Sequence, residues 1–272
     1  MIVGIDIGGS TTDAVILENG GLHVVTIEAN DPVAAAAGAL GKLVADFGIK
    51  LEDVECVAAT GAGSRVLTKS LLGRPVVKVN EFTAIGIGGT SLAGKESALV
   101  VSLGTGTAIV SVTRDKIAHF SGTGVGGGTL LGLAKHMLGV STIERLEKLA
   151  RKGDLRRIDL SVRDIAGGSI GDLPPNTTAA NFGKISADAT PEDKALAIMN
   201  MITESIGVLA LASARACGQE NIVLTGKLSR LFRFMQEMKR LDFPFGRRFV
   251  IPEHADFATA IGAARHAQQP NP

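Results

Sequence analysis

The residues best suited to chemistry open the chain. In Ile2–Glu18 (IVGIDIGGSTTDAVILE) an apolar run delivers one aspartate into a Gly-Gly turn, followed by small hydroxyl residues and a second apolar run. Gly8 and Gly9 permit backbone angles that a Cβ forbids, so the turn can aim several N–H groups at one anion, and Ser10, Thr11 and Thr12 add hydroxyl donors. Such a turn suits phosphate. Asp6, at the end of a buried strand beside that turn, is placed to hold Mg²⁺ through water, since this ion takes few carboxylates and keeps much of its hydration. A plain hairpin with a glycine turn fits the stretch equally well when it is taken alone.

The same order recurs at Leu99–Val112 (LVVSLGTGTAIVSV), where two apolar runs flank the turn Gly104-Thr105-Gly106. A phosphate hairpin in each half implies a duplicated domain whose copies face each other across a cleft, each gripping part of one polyphosphate. Glu81 is the candidate base. A carboxylate at a helix start can merely complement the helix dipole. This one, however, follows the C-terminal end of a strand, where open α/β sheets place their ligands. Phosphoryl transfer to an alcohol needs a base at such a point, because the attacking hydroxyl must shed its proton. The loop Ser121–Thr129 (SGTGVGGGT) precedes a helix, so Gly126, Gly127 and Gly128 can turn N–H groups and the positive dipole end toward an anion. Thr60–Ser64 (TGAGS) is either a third phosphate contact or a strand-to-helix corner, and we place it at the cleft rim.

The elements that must position these residues alternate in type. After the first hairpin, Gly20-Gly21 turns into a strand at Leu22–Glu28, and Asp31-Pro32 starts an alanine-rich helix to Phe47. Strands are expected at Val54–Ala59 and Pro75–Val79, with a helix from Asn80 through Ala93. The second half brings the Ala98 hairpin, a strand ending near Phe120, a helix at Leu130–Leu138 and charged helical residues at Thr142–Arg151. An irregular stretch, Gly167–Pro191, precedes a long, evenly apolar helix to Cys217. A strand at Asn221–Leu224, a helix at Leu228–Lys239, a strand at Arg248–Ile251 and a helix at Ala255–Ala267 complete the chain. This alternation predicts an α/β protein.

Composition narrows the classes. The 272 residues leave room for one large or two moderate domains. A net charge of +1, from 28 basic and 27 acidic side chains, with neither Trp nor Tyr, argues against a nucleic-acid partner. Cys56 and Cys217 read as lone, reduced thiols in apolar surroundings, with no disulfide framework. The chain enters directly into a strand and has no uncharged apolar run of membrane length. We therefore expect a cytoplasmic protein without a membrane span.

The paired hairpins resemble the actin, hexokinase and Hsp70 superfamily, which implies two RNase H-like lobes around a nucleotide cleft. The lobes are expected at 1–95 and 96–254, the second with an insertion at about 140–191, and the C-terminal helix at about 255–272 is free to pack back on the first. In this superfamily a strand-end glycine lets adenine and ribose approach the backbone, which implicates Thr225-Gly226. Ala260–Ala264 (AIGAA) is either small-residue helix packing or a nucleotide contact.

A closer resemblance rests on NEFTA at Asn80–Ala84, SLGTGT at Ser102–Thr107, SGTGVGGGTLLGL at Ser121–Leu133, LARKGDLRRIDLSVRDI at Leu149–Ile165 and TTAANFG at Thr177–Gly183. Together these resemble a type II pantothenate kinase, over nearly the whole chain. The resemblance implies ATP and Mg²⁺, pantothenate as acceptor, a homodimer formed through the second domain, Glu81 as base and Thr105 as a substrate contact. It also implies Asp6 on the metal side, and Gly8, Gly9, Ser10 and Gly126–Gly128 at the nucleotide phosphates. Three positions depart from the pattern. Thr83 replaces the aspartate that follows the base. Asp13 stands where the family has a phosphate-binding lysine. His119 stands where it has an arginine that reaches pantothenate and the transferred phosphate. Lys227, Arg65 and Arg114 are the candidate replacements for the lost positive charge.

These departures keep other classes open: a kinase of the same fold for another small hydroxy compound, a nucleotide-binding regulator without catalysis, and an ATPase activator of radical dehydratases. The activator's opening DIGSTTT resembles Asp6–Thr12. Activators hold an iron–sulfur cluster through cysteines at a dimer interface, and neither Cys56 nor Cys217 lies in the setting this needs.

Overall fold

The computed structural model describes residues 1–18, 21–28, 31–241 and 249–269. Two mixed sheets share one plan. The first contains β1 (Ile2–Ile7), β2 (Thr11–Glu18), β3 (Gly21–Glu28), β4 (Cys56–Thr60), β5 (Ser70–Leu71) and β6 (Arg74–Lys78), in the order β3-β2-β1-β4-β6-β5. The second contains β7 (Ala98–Leu103), β8 (Thr107–Val112) and β9 (Ile117–Thr123), then, beyond the small ribbon β10 (Leu160–Ser161) and β11 (Thr178–Ala180), β12 (Ile222–Thr225) and β13 (Phe249–Val250). Its order is β13-β12-β7-β8-β9. In both, an antiparallel three-strand meander continues into parallel strands on the far side of its first strand. The duplication inferred from two hairpins is thus a duplication of whole sheets, and the α/β, two-lobed architecture follows.

The helices are α1 (Pro32–Phe47), α2 (Glu81–Ala93), α3 (Gly127–Leu138), α4 (Ile143–Ala150), α5 (Val162–Ala166), α6 (Pro191–Ala216), α7 (Phe232–Arg240) and α8 (Ala258–Gln268). Their ends are written locally. Asp31 caps α1 by accepting from the Ala34 N–H, Pro32 needs no donor in the first turn, and Gly48 closes the helix at φ +66°. Thr190 and Asp193 form a reciprocal capping box at the start of α6. By length and composition α6 alone among the described helices could cross a membrane, even with Glu204 inside it. Most of it is instead buried, with Ile198, Met199, Ile202 and Ile206 in the core of the second lobe beside Leu99, Leu103 and Leu130.

Several boundaries differ from expectation. The strand expected to end near Phe120 runs to Thr123, because Gly122 and Thr123 stay paired with Ala108 and Thr107. The helix expected from Leu130 begins at Gly127, and the one expected at Leu228 divides into a 3₁₀ turn, Lys227–Arg230, and α7. The last helix is likewise led by a 3₁₀ turn, Ala255–Phe257. The turn at Gly20 and the start of the last strand at Arg248 lie outside the described residues.

The lobes meet on two helices. α2 lies against β7, β8, β9 and β12 of the second sheet, α8 lies against β1, β2 and β4 of the first, and the two helices pack on each other. Glycine makes this possible: a Cβ on Gly88 would strike the Ala258 carbonyl, one on Gly262 the Ala84 carbonyl, and one on Gly4 the Ala260 carbonyl. The Ala260–Ala264 stretch is therefore a packing surface. Gly262→Ala is expected to destabilise the protein by about 1–3 kcal/mol through forced backbone displacement. Urea unfolding measures this, and a change under about 0.5 kcal/mol, the size of a neutral surface substitution, would contradict the close approach.

Candidate active site

Parallel strands send their carboxyl ends in one direction, and each sheet here contributes such an edge. From the first sheet Asp6 is next to last in β1, Gly61 follows β4, and Glu81 comes after β6 beyond Val79 and Asn80. From the second, Gly104 follows β7 and Gly226 follows β12. Between them is a cavity of about 220 Å³ lined in part by Asp6, Gly8–Thr11, Asp13, Ser102, Gly104, Thr105, Gly127, Gly128, Gly226 and Lys227.

The two hairpin turns touch. The Ser10 and Thr105 hydroxyls are 3.2 Å apart and share a hydrogen bond across the lobes. The first turn is closed by Gly8 N–H donating to Thr11 O at 3.0 Å, the second by Gly104 N–H donating to Gly106 O at 2.9 Å. The glycine loop before α3 serves this second turn. Gly127 and Gly128 N–H donate to the carbonyls of Gly104 and Thr105, both at 2.9 Å, and a Cβ on Gly126 would overlap Thr105 and Gly106. Those two N–H groups, read from sequence as anion donors, are already bonded in this conformation, so the loop locks the turn to the helix. Gly106 and Gly126 support the turn from behind without lining the cavity.

Charge is concentrated on three carboxylates and one ammonium among the residues lining the cavity: Asp6, Asp13, Asp256 and Lys227. Asp6 and Asp13 face each other across the β1–β2 ladder. Burial first, then the carboxylates of Asp13 and Glu81, push the Asp6 pKa up from 3.8 to about 7, with Lys227 opposing them. Among the described residues none donates a hydrogen bond to Asp6, which lines the cavity. A Cβ at Gly61 would collide with it, so the Thr60–Ser64 turn is a strand-to-helix corner pressed on Asp6 and does not line the cavity. Asp13 binds Lys227 Nζ at 2.6 Å and accepts from the Thr26 hydroxyl at 2.6 Å. Burial raises its pKa, against Lys227 and Thr26. Asp256 is held by Arg230 at 3.0 Å.

Glu81 is the first residue of α2, with Asn80 capping the helix by accepting from the Phe82 and Thr83 N–H groups. It is exposed and close enough to raise the Asp6 pKa. The neighbouring Phe82 stacks on His119 from the second lobe, with ring centroids 4.3 Å apart and planes at 27°. Both lobes thus contribute to this end of the cleft, although neither Glu81 nor His119 lines the cavity itself.

Other expected residues lie elsewhere. Thr225 is fully buried, its hydroxyl has no partner, and it lies beneath the cleft floor. Gly226 does reach the cavity, at φ +88° and in contact with the Leu103 backbone. Arg114 is an exposed partner of Glu96 and Arg65 is outside the cavity, so of the three candidate cations only Lys227 enters it. Cys56 sits in β4 and Cys217 caps α6, followed by Gly218; both are free thiols. Sequence reading did not single out Asp256, Leu131, Ile143, Leu228 or Thr259, which line the cavity. The apolar three carry no local sequence signal distinct from core residues.

Two α/β lobes of one topology with glycine turns meeting between them define the fold of the actin- and hexokinase-like proteins. Solved structures agree on the fold. The activator of the 2-hydroxyisocaproyl-CoA dehydratase from Clostridium difficile with bound ADPNP superposes at TM-score 0.70 with 19% identity, covering 98% of this chain and 93% of that one. A ROK family glucokinase from Streptomyces griseus in complex with glucose and AMPPNP gives 0.61 at 16% identity, covering 99% of each chain. The Fumble family matches residues 96–263, and a type II pantothenate kinase of Oceanobacillus iheyensis is 32% identical over 250 residues, 86% of this chain and 90% of that protein. The chain belongs to the Fumble family of type II pantothenate kinases.

The Asp6 carboxyl gives a pH-dependent prediction. Its folded pKa lies above its unfolded one, so the stability it confers is full below about pH 4 and is lost as pH rises through about 7. Asp6→Asn without nucleotide or metal should therefore melt at a higher temperature than wild type at pH 8. The gain should be on the order of 1–4 kcal/mol and should shrink toward pH 4. Equal melting of both proteins at pH 8 would contradict the buried, unpartnered carboxyl.

Proposed function

We propose that this protein is an ATP-dependent kinase that phosphorylates pantothenate to 4′-phosphopantothenate, the first step of coenzyme A synthesis. The observation that carries the reading is the meeting of the Ser10 and Thr105 turns between the lobes, in a chain of this family. The first turn receives phosphate through Gly9, Ser10 and Thr11 and the second through Thr105, while Gly8 and Gly104, whose N–H groups close the turns, let it come close to the backbone. Gly226 allows the nucleoside close to the backbone, and Leu131, Ile143 and Leu228 offer the base an apolar wall.

Pantothenate's primary hydroxyl oxygen bonds to the γ-phosphorus as the bond from that phosphorus to the β–γ bridging oxygen breaks, and ADP leaves. The hydroxyl proton passes to Glu81. In-line positioning and electrostatic stabilisation supply most of the acceleration in such transfers. Mg²⁺ fits Asp6, whose open, partly buried carboxylate would hold it through water and whose raised pKa a dication would reverse. When bound, the ion neutralises charge developing on the phosphates. Among the described residues no three ligating side chains cluster, so phosphate and water would complete its shell.

A homodimer through the second lobe and a cytoplasmic location belong to the same reading and rest on the family resemblance, since α6 is mostly buried within its own lobe. Sedimentation showing only monomer at micromolar concentration would count against the dimer. The activator reading is not favoured, because the family match over residues 96–263 and the relatives along most of the chain are type II pantothenate kinases. A same-fold kinase for another hydroxy compound is the rival, favoured only by His119 replacing the arginine.

Glu81→Gln should keep ATP affinity within about twofold and lower phosphoryl transfer by about 10²–10⁴-fold, the usual worth of a general base. Near-normal turnover would remove Glu81 from the mechanism. His119→Arg supplies a fixed charge and a bidentate donor stacked beside Phe82, and should improve kcat/KM for pantothenate. Wild type and variant both inert toward pantothenate would move the assignment to the rival acceptor.

A further inference from the structure

We propose that Lys227 is the nucleotide-phosphate ligand of this protein, delivered from the second lobe and held in place by Asp13 of the first. This rests on the nucleotide-binding reading of the cleft and adds the residue that supplies its cation. The resemblance places a phosphate lysine at position 13, and this chain has a carboxylate there. The structure sets a lysine against that carboxylate from 214 residues away in sequence.

Geometry gives each residue its task. Lys227 follows Gly226, in the 3₁₀ turn after β12, and lines the same cavity as Gly8–Thr11, Gly104 and Thr105. Its ammonium donates to Asp13 Oδ1 at 2.6 Å and to Thr26 Oγ1 at 3.1 Å, and lies 4.4 Å from the Phe257 ring centroid. An ammonium has three N–H donors, so one remains for a ligand. The Lys227 side chain is 31% exposed, and the Asp13 side chain only 9%. A buried carboxylate stripped of its partner is strongly destabilising, so a phosphate that pulled Lys227 away would meet that cost. The favourable outcome is that the pair stays intact and Lys227 turns its remaining donor to the phosphate. Asp13 and Thr26 are positioning residues.

The surrounding charges leave this task to Lys227. It is the single basic residue among the described residues lining the cavity, against Asp6, Asp13 and Asp256. Asp256 is already held by Arg230. Without a cation from this chain, a polyphosphate would face three carboxylates with only a bound dication between them. The lysine also ties the lobes, since Asp13 and Thr26 belong to the first sheet and Lys227 to the turn that follows β12 of the second.

The test is binding, measured by titration calorimetry with ATP, ADP and adenosine, with no acceptor present. Lys227→Met leaves Asp13 buried and unpaired and could fail to fold, so the deciding protein is Asp13→Asn/Lys227→Met, in which both charges are gone. It should bind ATP and ADP about 10- to 100-fold more weakly than wild type, the usual loss for a charged hydrogen bond, while adenosine affinity stays within about twofold. Asp13→Asn/Lys227→Arg, which restores the cation without the ion pair, should recover part of the loss, which a merely structural role for the pair would not produce. Asp13→Asn, with the lysine retained but no longer steered, should fall between wild type and the double variant. A double variant that binds ATP as tightly as wild type, or loses adenosine equally, overturns the proposal while leaving the nucleotide cleft intact. A folded wild type that binds none of the three overturns the nucleotide reading and this proposal with it.

Discussion

Contact between the backbones of α2 and α8 fixes where the two sheets can stand. Each helix belongs to the packing of a different sheet, and each brings a glycine against the other's carbonyls, so the lobes approach more closely than any side chain would permit. The consequence is that two carboxyl edges, each carrying a hairpin turn, arrive close enough for Ser10 and Thr105 to hydrogen-bond. Glu81 inherits its place from the same contact, since it begins the helix that makes it.

Within that frame the site is short of positive charge. Asp6 is desolvated and without a hydrogen bond among the described residues, a condition that a bound dication relieves, and Lys227 is the cation that pairs with Asp13. An empty cleft is thus electrostatically unfavourable on one side, and preorganised backbone dipoles with a metal ion are the natural complement. The same physics explains why the charge reversal at position 13 need not abolish phosphate binding: the cation is relocated across the cleft.

How much of this was legible follows from its range in sequence. The hairpins, the Asp31 and Asn80 caps and the duplicated plan rest on neighbouring residues, and reading them gave most of the elements and the start of α2 near Glu81. Long-range facts were not legible. The Asp13–Lys227 pair, the Phe82–His119 stack and the Arg230–Asp256 pair depend on how sheets are placed, and no local pattern encodes them. Local pattern also leaves contacts unnamed in two places: the carbonyls of Gly104 and Thr105 take the Gly127 and Gly128 N–H groups, and Thr225 is fully buried at the end of β12. Sequence showed that these backbones approach something closely; only the fold shows what.

A cleft of this family transfers a phosphoryl group from ATP to pantothenate. The direct measurement is ADP release by the purified protein with MgATP, with and without pantothenate, beside a panel of other small hydroxy acids, with the phosphorylated product identified by mass. The account predicts ADP release that depends on pantothenate and a product heavier by one phosphoryl group. ADP release that ignores pantothenate, or that responds to a different hydroxy compound alone, would contradict it.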